Sequence, residues 1–191
     1  MRMLEERIVR DGKALNSEVL LVDCFLNHQV DPELMAEIGK EFARLTKDLG
    51  ITRVVTIESS GIAPAQMAAL ELKVPMVIMK KSNSRILNNA LQTEVFSFTK
   101  NKSYQLTVKP EFLKKGDRVL LVDDFMANGE AAMGAIRLIE QAGAEATAVG
   151  IVIEKSFQPG RRLLEDKGYR VFSLARVAAM AEGQISFVEE E

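Results

Sequence analysis

Three short stretches carry side chains that can do chemistry, and each follows an apolar run. Residues 119–136, VLLVDDFMANGEAAMGAI, set Asp123 and Asp124 side by side behind four apolar residues, then a small polar turn and an Ala-rich run. Residues 56–65, TIESSGIAPA, place Glu58, Ser59, Ser60 and Gly61 behind another apolar stretch, and VPMVIMKK (74–81) ends in Lys80 and Lys81. Two adjacent like charges cost electrostatic energy unless a ligand uses them. Carboxylates accept hydrogen bonds from a diol and stabilise developing positive charge. Small residues at a helix start, here Ala127, Asn128, Gly129, Glu130 and Ala131, expose backbone N–H groups at the positive end of the helix dipole. That suits a phosphate. The lysines suit a second one. A ligand with a phosphate at one end, sugar hydroxyls beside it and a further anionic group meets all three demands. Taken singly, each stretch also has a plain reading, as a capped helix start, a simple turn or a solvated edge. Three together at successive strand ends make coincidence a poor account.

Such groups need elements to position them. Asp31 followed by Pro32 reads as an N-cap and first helical position. Leu34, Ile38, Phe42, Leu45 and Leu49 then recur at helical spacing as far as Gly50. Residues 3–9 read as a short amphipathic helix, with further helices over 63–72, 128–142 and 161–167. Strands are expected over 19–22, 53–57, 74–79, 119–122, 146–153 and 169–174, with 186–188 as a last edge strand. Between 53 and 153, uninterrupted apolar strands alternate with helices, the pattern of an α/β parallel sheet covered on both faces. In such a sheet ligands bind beyond the carboxyl ends of the strands. Residues 80–93 are polar without a clear period and are expected to be a mobile loop. Residues 94–99 and 104–108 alternate like an exposed antiparallel hairpin. Long excursions of this kind often close over active sites.

Composition narrows the class. With 191 residues, 47% of them apolar, the chain can bury a real core. A net charge of −2 gives no sign of a nucleic-acid or membrane-surface partner. Cys24 is the only cysteine, so an intrachain disulfide is impossible and a cytoplasmic setting is expected. Cys24 itself is expected in the core. The charged N-terminus has no apolar signal-peptide region, and no apolar run is long enough to span a bilayer.

Residues 119–136 resemble the signature of the type I phosphoribosyltransferases: a hydrophobic strand, two acidic residues and a small-residue phosphate loop. The usual loop is rich in Thr and Gly, where this chain has Asn128, Glu130 and Ala131. That ANGxA form is similar to the xanthine-using branch of the purine members. The resemblance continues through VDCFLNHQ (22–29), TIESSGIAPA (56–65), VFSFTK (95–100), IVIEKSFQPGR (151–161) and SFV (186–188), nearly the whole chain. It implies a central, mostly parallel twisted sheet flanked by helices. It further implies one domain over 1–191, with a core at about 35–155, a small hood from about 1–30 and 156–191, and a flexible lid hairpin at about 82–104.

The activity so implied is transfer of ribose 5-phosphate from phosphoribosyl pyrophosphate (PRPP) to N9 of xanthine. Magnesium would arrive on PRPP oxygens without a dedicated protein site, and the protein would be a homodimer. Carried onto this sequence, Ala127, Asn128, Gly129, Glu130 and Ala131 would hold the 5′-phosphate, and Asp123 and Asp124 the ribose hydroxyls. Ser59, Ser60 and Gly61 would form the pyrophosphate loop, with Lys80 and Lys81 offsetting its charge. Leu20, Asn27 and Lys155 would meet the purine, while Phe157 could stack on the base or belong to the core. His28, the one histidine, is expected outside the site. The alternatives are another purine, or a PRPP-binding regulator of the purine-repressor kind. The second is disfavoured because no basic DNA-binding segment precedes the shared fold.

Overall fold

The computed structural model describes residues 1–82, 89–97 and 101–189. In chain order, α1 (Arg2–Asp11), β1 (Lys13–Ala14), β2 (Leu20–Leu21) and a π-helical turn (Asp23–Asn27) precede α2 (Pro32–Thr46). Next come β3 (Arg53–Ile57), α3 (Ile62–Leu72), β4 (Met76–Ser82), β5 (Leu91–Ser97), β6 (Lys102–Val108) and β7 (Arg118–Met126). They are followed by α4 (Glu130–Gln141), β8 (Glu145–Lys155), α5 (Gly160–Glu165), β9 (Val171–Ala181) and β10 (Gln184–Phe187).

Eight strands form one sheet in the order β10-β9-β8-β7-β3-β4-β6-β5. Its centre is parallel, β9 through β4, and β10 and β6 join the two sides antiparallel. The continuous apolar strands explain this: Val54 faces one core and Val55 the other, both fully buried. On one face α2 and α3 pack with Ile38, Phe42 and Ala68; on the other α4 packs with Ala135, Ile136 and Ile139. Asp31 caps α2 as expected, its Oδ1 accepting from the N–H groups of Glu33 and Leu34 at 3.1 Å each.

Four expectations need correction. β7 does not stop at 122: it continues through both aspartates, because β8 still offers pairing partners at Asp123↔Ile151 and Phe125↔Ile153. The 80–93 stretch is not one loop. Lys80, Lys81 and Ser82 pair with Thr107, Leu106 and Gln105, and Leu91 already belongs to β5. Nor is the hairpin simply exposed. Val95 is buried, filling the space left by Gly134 of α4, where a Cβ would stand 2.3 Å from the Val95 Cγ2. Arg137 of α4 holds the same strand, donating to the Glu94 carbonyl at 2.9 Å and the Thr93 hydroxyl at 3.1 Å. The described part of the expected lid is therefore a docked sheet edge, and residues 83–88 and 98–100 lie outside the described residues. Finally, Cys24 is exposed in the π-helical turn rather than in the core.

Smaller differences are local. The 19–22 strand shrinks to Leu20–Leu21, paired with β1 in a two-stranded sheet of its own. β9 runs on to Ala181 and turns back at Gly183, φ +70°, into β10. Among the described residues, no helix is long and apolar enough to cross a membrane.

Candidate active site

β7 outruns its neighbour β3. Val122 is the last residue of β7 that pairs with β3, so the acidic pair flanks the turn into α3. Asp123 is only 8% exposed, and its Oδ1 accepts from the Asp124 N–H at 3.1 Å. That turn comes close because residue 61 is glycine: a Cβ there would lie 2.4 Å from the Thr56 Oγ1 and 3.2 Å from the Asp123 Oδ1. The peptide bond between Glu58 and Ser59 is cis. Burial first, then the neighbouring Asp124 charge, push the Asp123 carboxyl well above the usual carboxylate range, with the Lys81 ammonium acting against the shift. Asp124→Asn removes the like charge and is expected to move the Asp123 titration to lower pH. Carboxyl-carbon NMR of the labelled chain measures this, and an unmoved titration would show that the two groups do not interact.

The loop after β7 is held from behind by another glycine. Gly129 adopts φ +83° at the start of α4, where no side chain among the described residues caps the helix, leaving its first N–H groups for a ligand or solvent. The Gly160 N–H donates to the Ala127 carbonyl at 3.0 Å. A Cβ on Gly160 would stand 2.4 Å from that carbonyl oxygen, and one on Gly129 would stand 3.1 Å from the Gly160 Cα. The two glycines thus let the 127–131 loop and the start of α5 touch backbone to backbone. Asn128, Glu130 and Ala131 line the outer side, each partly exposed.

The lysines separate into different roles. Lys80 Nζ stands 3.2 Å from the Glu58 Oε2, while the Glu58 Oε1 accepts from the Lys81 N–H at 2.6 Å. Glu58 thus answers part of the Lys80 charge. The Lys81 ammonium sits 5.5 Å from the Tyr104 ring centroid and lowers the Asp123 shift. Burial, then the Asp123 charge, push the Tyr104 hydroxyl up to about 12. Tyr104 was not anticipated; its inward position on β6 emerges only from the pairing with Val95.

The expected purine residues are only partly assembled. Lys155 ends β8, donates from Nζ to the Glu18 carbonyl and lies 5.7 Å from the Phe125 ring centroid. Leu20 is 6% exposed and packs in the core, its backbone paired with Ala14 in the small sheet. Asn27 is exposed at the end of the π-helical turn, and no hydrogen bond among the described residues ties it to Leu20 or Lys155. Phe157 is 42% exposed, so it is not core, and His28 is exposed. Phe125, next to the acidic pair and beneath Lys155, was missed although its place in the motif was visible.

Residues 30–182 match the family model described as a phosphoribosyl transferase domain. The chain is 57% identical to the xanthine phosphoribosyltransferase 1 of Clostridium botulinum over 99% of this chain and 100% of that one. It is 56% identical to the xanthine phosphoribosyltransferase of Agathobacter rectalis over the full length of both. Among solved structures, the adenine phosphoribosyltransferase of Giardia lamblia complexed with 9-deazaadenine superposes with a TM-score of 0.76 at 24% identity, covering 90% of this chain and 96% of that one. The enzyme of Rhodothermus marinus gives 0.74 at 24% identity over 91% and 98%.

Proposed function

The chain belongs to the phosphoribosyltransferase family, and from that premise we propose that it transfers ribose 5-phosphate from PRPP to N9 of xanthine, forming XMP and pyrophosphate. The observation that carries the purine assignment is the full-length identity of 54–57% to xanthine phosphoribosyltransferases. The adenine enzymes share the fold at 24% identity or less, and their substrate does not transfer. A Lys155 ammonium beside Phe125 supports the same reading, since it donates where an oxopurine accepts.

The residues divide the work by charge. N–H groups of the 127–131 loop bind the 5′-phosphate, joined by the Asn128 amide because Ala131 has no hydroxyl. Asp123 and Asp124 accept hydrogen bonds from the ribose 2′- and 3′-hydroxyls. The bond from C1′ to the pyrophosphate oxygen breaks with its electron pair going to that oxygen, and N9 of the purine bonds to C1′ while the purine N–H proton passes to the departing pyrophosphate. Positive charge that builds on the ribose, as in glycoside chemistry, is stabilised by the two carboxylates. The departing pyrophosphate is received by Ser59, Ser60 and Gly61, with Lys81, over the Tyr104 ring, answering its charge and Lys80 shared with Glu58.

Asp123 and Asp124 also present hard oxygen donors of the kind magnesium takes, so a PRPP-borne ion fits this donor set. Such an ion, when bound, neutralises charge on the pyrophosphate. Water must be kept from the reacting ribose, and the docked β5–β6 hairpin stands as a fixed wall beside the site. A homodimer in the cytoplasm belongs to the same reading. The test is a spectrophotometric assay of PRPP and magnesium against xanthine, guanine, hypoxanthine and adenine. Xanthine is expected to have the highest kcat/KM, and a preference for adenine would overturn the assignment.

A further inference from the structure

Glu154 stands one residue before Lys155 and is 1% exposed. Arg161 of α5 grips it, with Nε 3.0 Å from each carboxylate oxygen and Nη2 2.7 Å from the Oε2. Ser156 donates to the Oε1 at 2.7 Å, Ser173 of β9 donates to the Oε2, and the Arg176 Nε stands 3.6 Å from the Oε1. Arg161 also donates to Glu165 at 2.7 Å and to the Val171 carbonyl at 3.3 Å. Burying a charged pair this deeply is expensive, and apolar side chains of similar volume could pack α5 against the sheet. What the charged pair adds is direction, because its bonds fix angles as well as contact.

The direction it fixes concerns the segment between its two partners. Residues 155–160 run from Lys155 to Gly160, and the neighbours of those ends, Ser156 and Arg161, are both bonded to the one carboxylate. At the first end, the strand pleat turns Lys155 away from Glu154, toward Glu18 and Phe125. At the other end, the Gly160 N–H holds the Ala127 carbonyl. We propose that the Glu154 and Arg161 pair is a positioning clamp that sets the Lys155 ammonium in register with the 127–131 loop. Purine and ribose 5-phosphate are then presented at a fixed separation. The inference rests on the transferase reading above and extends it to residues that touch neither substrate.

The test uses the full chain, with circular dichroism to establish folding. Glu154→Gln keeps the volume and removes the charge; Arg161→Lys keeps the charge and loses the two-point grip. Each is measured alone and combined with Lys155→Ala, varying xanthine and magnesium-PRPP separately. In the native background both KM values are expected to rise about tenfold, with kcat falling less. In the Lys155→Ala background the effect on the xanthine KM should shrink to within about twofold, while the rise in the PRPP KM persists. A carboxylate that only stabilised the fold would not produce that split. If Glu154→Gln does not fold, Arg161→Lys carries the same cycle. Strictly additive effects, or native KM values in folded variants, overturn the clamp and leave the transferase reading intact. A native chain inactive on xanthine overturns that reading and the clamp with it.

Discussion

Turnover should be lost, and the fold kept, when Asp123 and Asp124 are both replaced by alanine. A fall in kcat of at least ~10³-fold is expected, equivalent to about 4 kcal/mol of transition-state stabilisation. In the proposed mechanism the two carboxylates meet the charge on the ribose, from a place beside the Gly61 turn and ahead of the 127–131 loop. Stability should respond in the opposite direction. The Asp123 carboxyl is held above its ordinary range by burial and by Asp124. A group whose folded-state pKa is raised contributes stability below its unfolded pKa and loses that contribution as the pH rises through the folded value. Above the ordinary aspartate range the pair therefore weakens the fold. Asp123→Asn, which keeps an acceptor for the Asp124 N–H, should raise Tm by a few degrees, about 1 kcal/mol in a domain of this size, while removing activity. Tm and kcat measured on the same preparations check both halves. A folded double variant with near-native kcat would remove the acidic pair from the mechanism.

That opposition between stability and activity is why the pair was legible in the sequence. A fold has no use for two adjacent charges at the end of RVLLV, so the oddity pointed outward. The central strands were legible for a similar reason, since runs such as RVVTI are apolar on both faces of a parallel sheet. What stayed hidden depends on partners distant in the chain. The extension of β7 to Met126 is decided by how far β8 offers pairing groups. The hairpin read as polar because only alternate residues face α4, and its anchoring needs the gap at Gly134. Glu154 falls just past the expected 146–153 strand, and its role depends on Arg161 and Ser173, which reach it only after α5 and β9 have folded back. The Gly160 contact with Ala127 is of the same kind. Asn27 is the hardest case, since it sits in a π-helical turn that no periodic pattern announces.

Purine choice should turn on Lys155 and Asn27, and single replacements separate their roles. Burial pulls the Lys155 ammonium below its ordinary range, with the Glu18 charge acting against that. A partly desolvated donor left without an acceptor costs about 1–3 kcal/mol, or roughly 10- to 100-fold in kcat/KM. Xanthine offers oxo groups at C2 and C6. Adenine offers an amino donor at C6, which faces an ammonium that also donates, so adenine should be excluded. Hypoxanthine and guanine keep the C6 oxo group and lack the one at C2, so they should be poor substrates. Lys155→Ala should then lower kcat/KM for all three oxopurines together, by about 10- to 100-fold. Asn27→Ala should lower it for xanthine about tenfold more than for hypoxanthine, narrowing the gap between them. Asn27 is exposed and has no described bond to Lys155, so an effect of its replacement would not pass through such a bond. Parallel kcat/KM measurements on the two variants test this. Equal losses for xanthine and hypoxanthine in Asn27→Ala would show that Asn27 does not read the C2 oxo group.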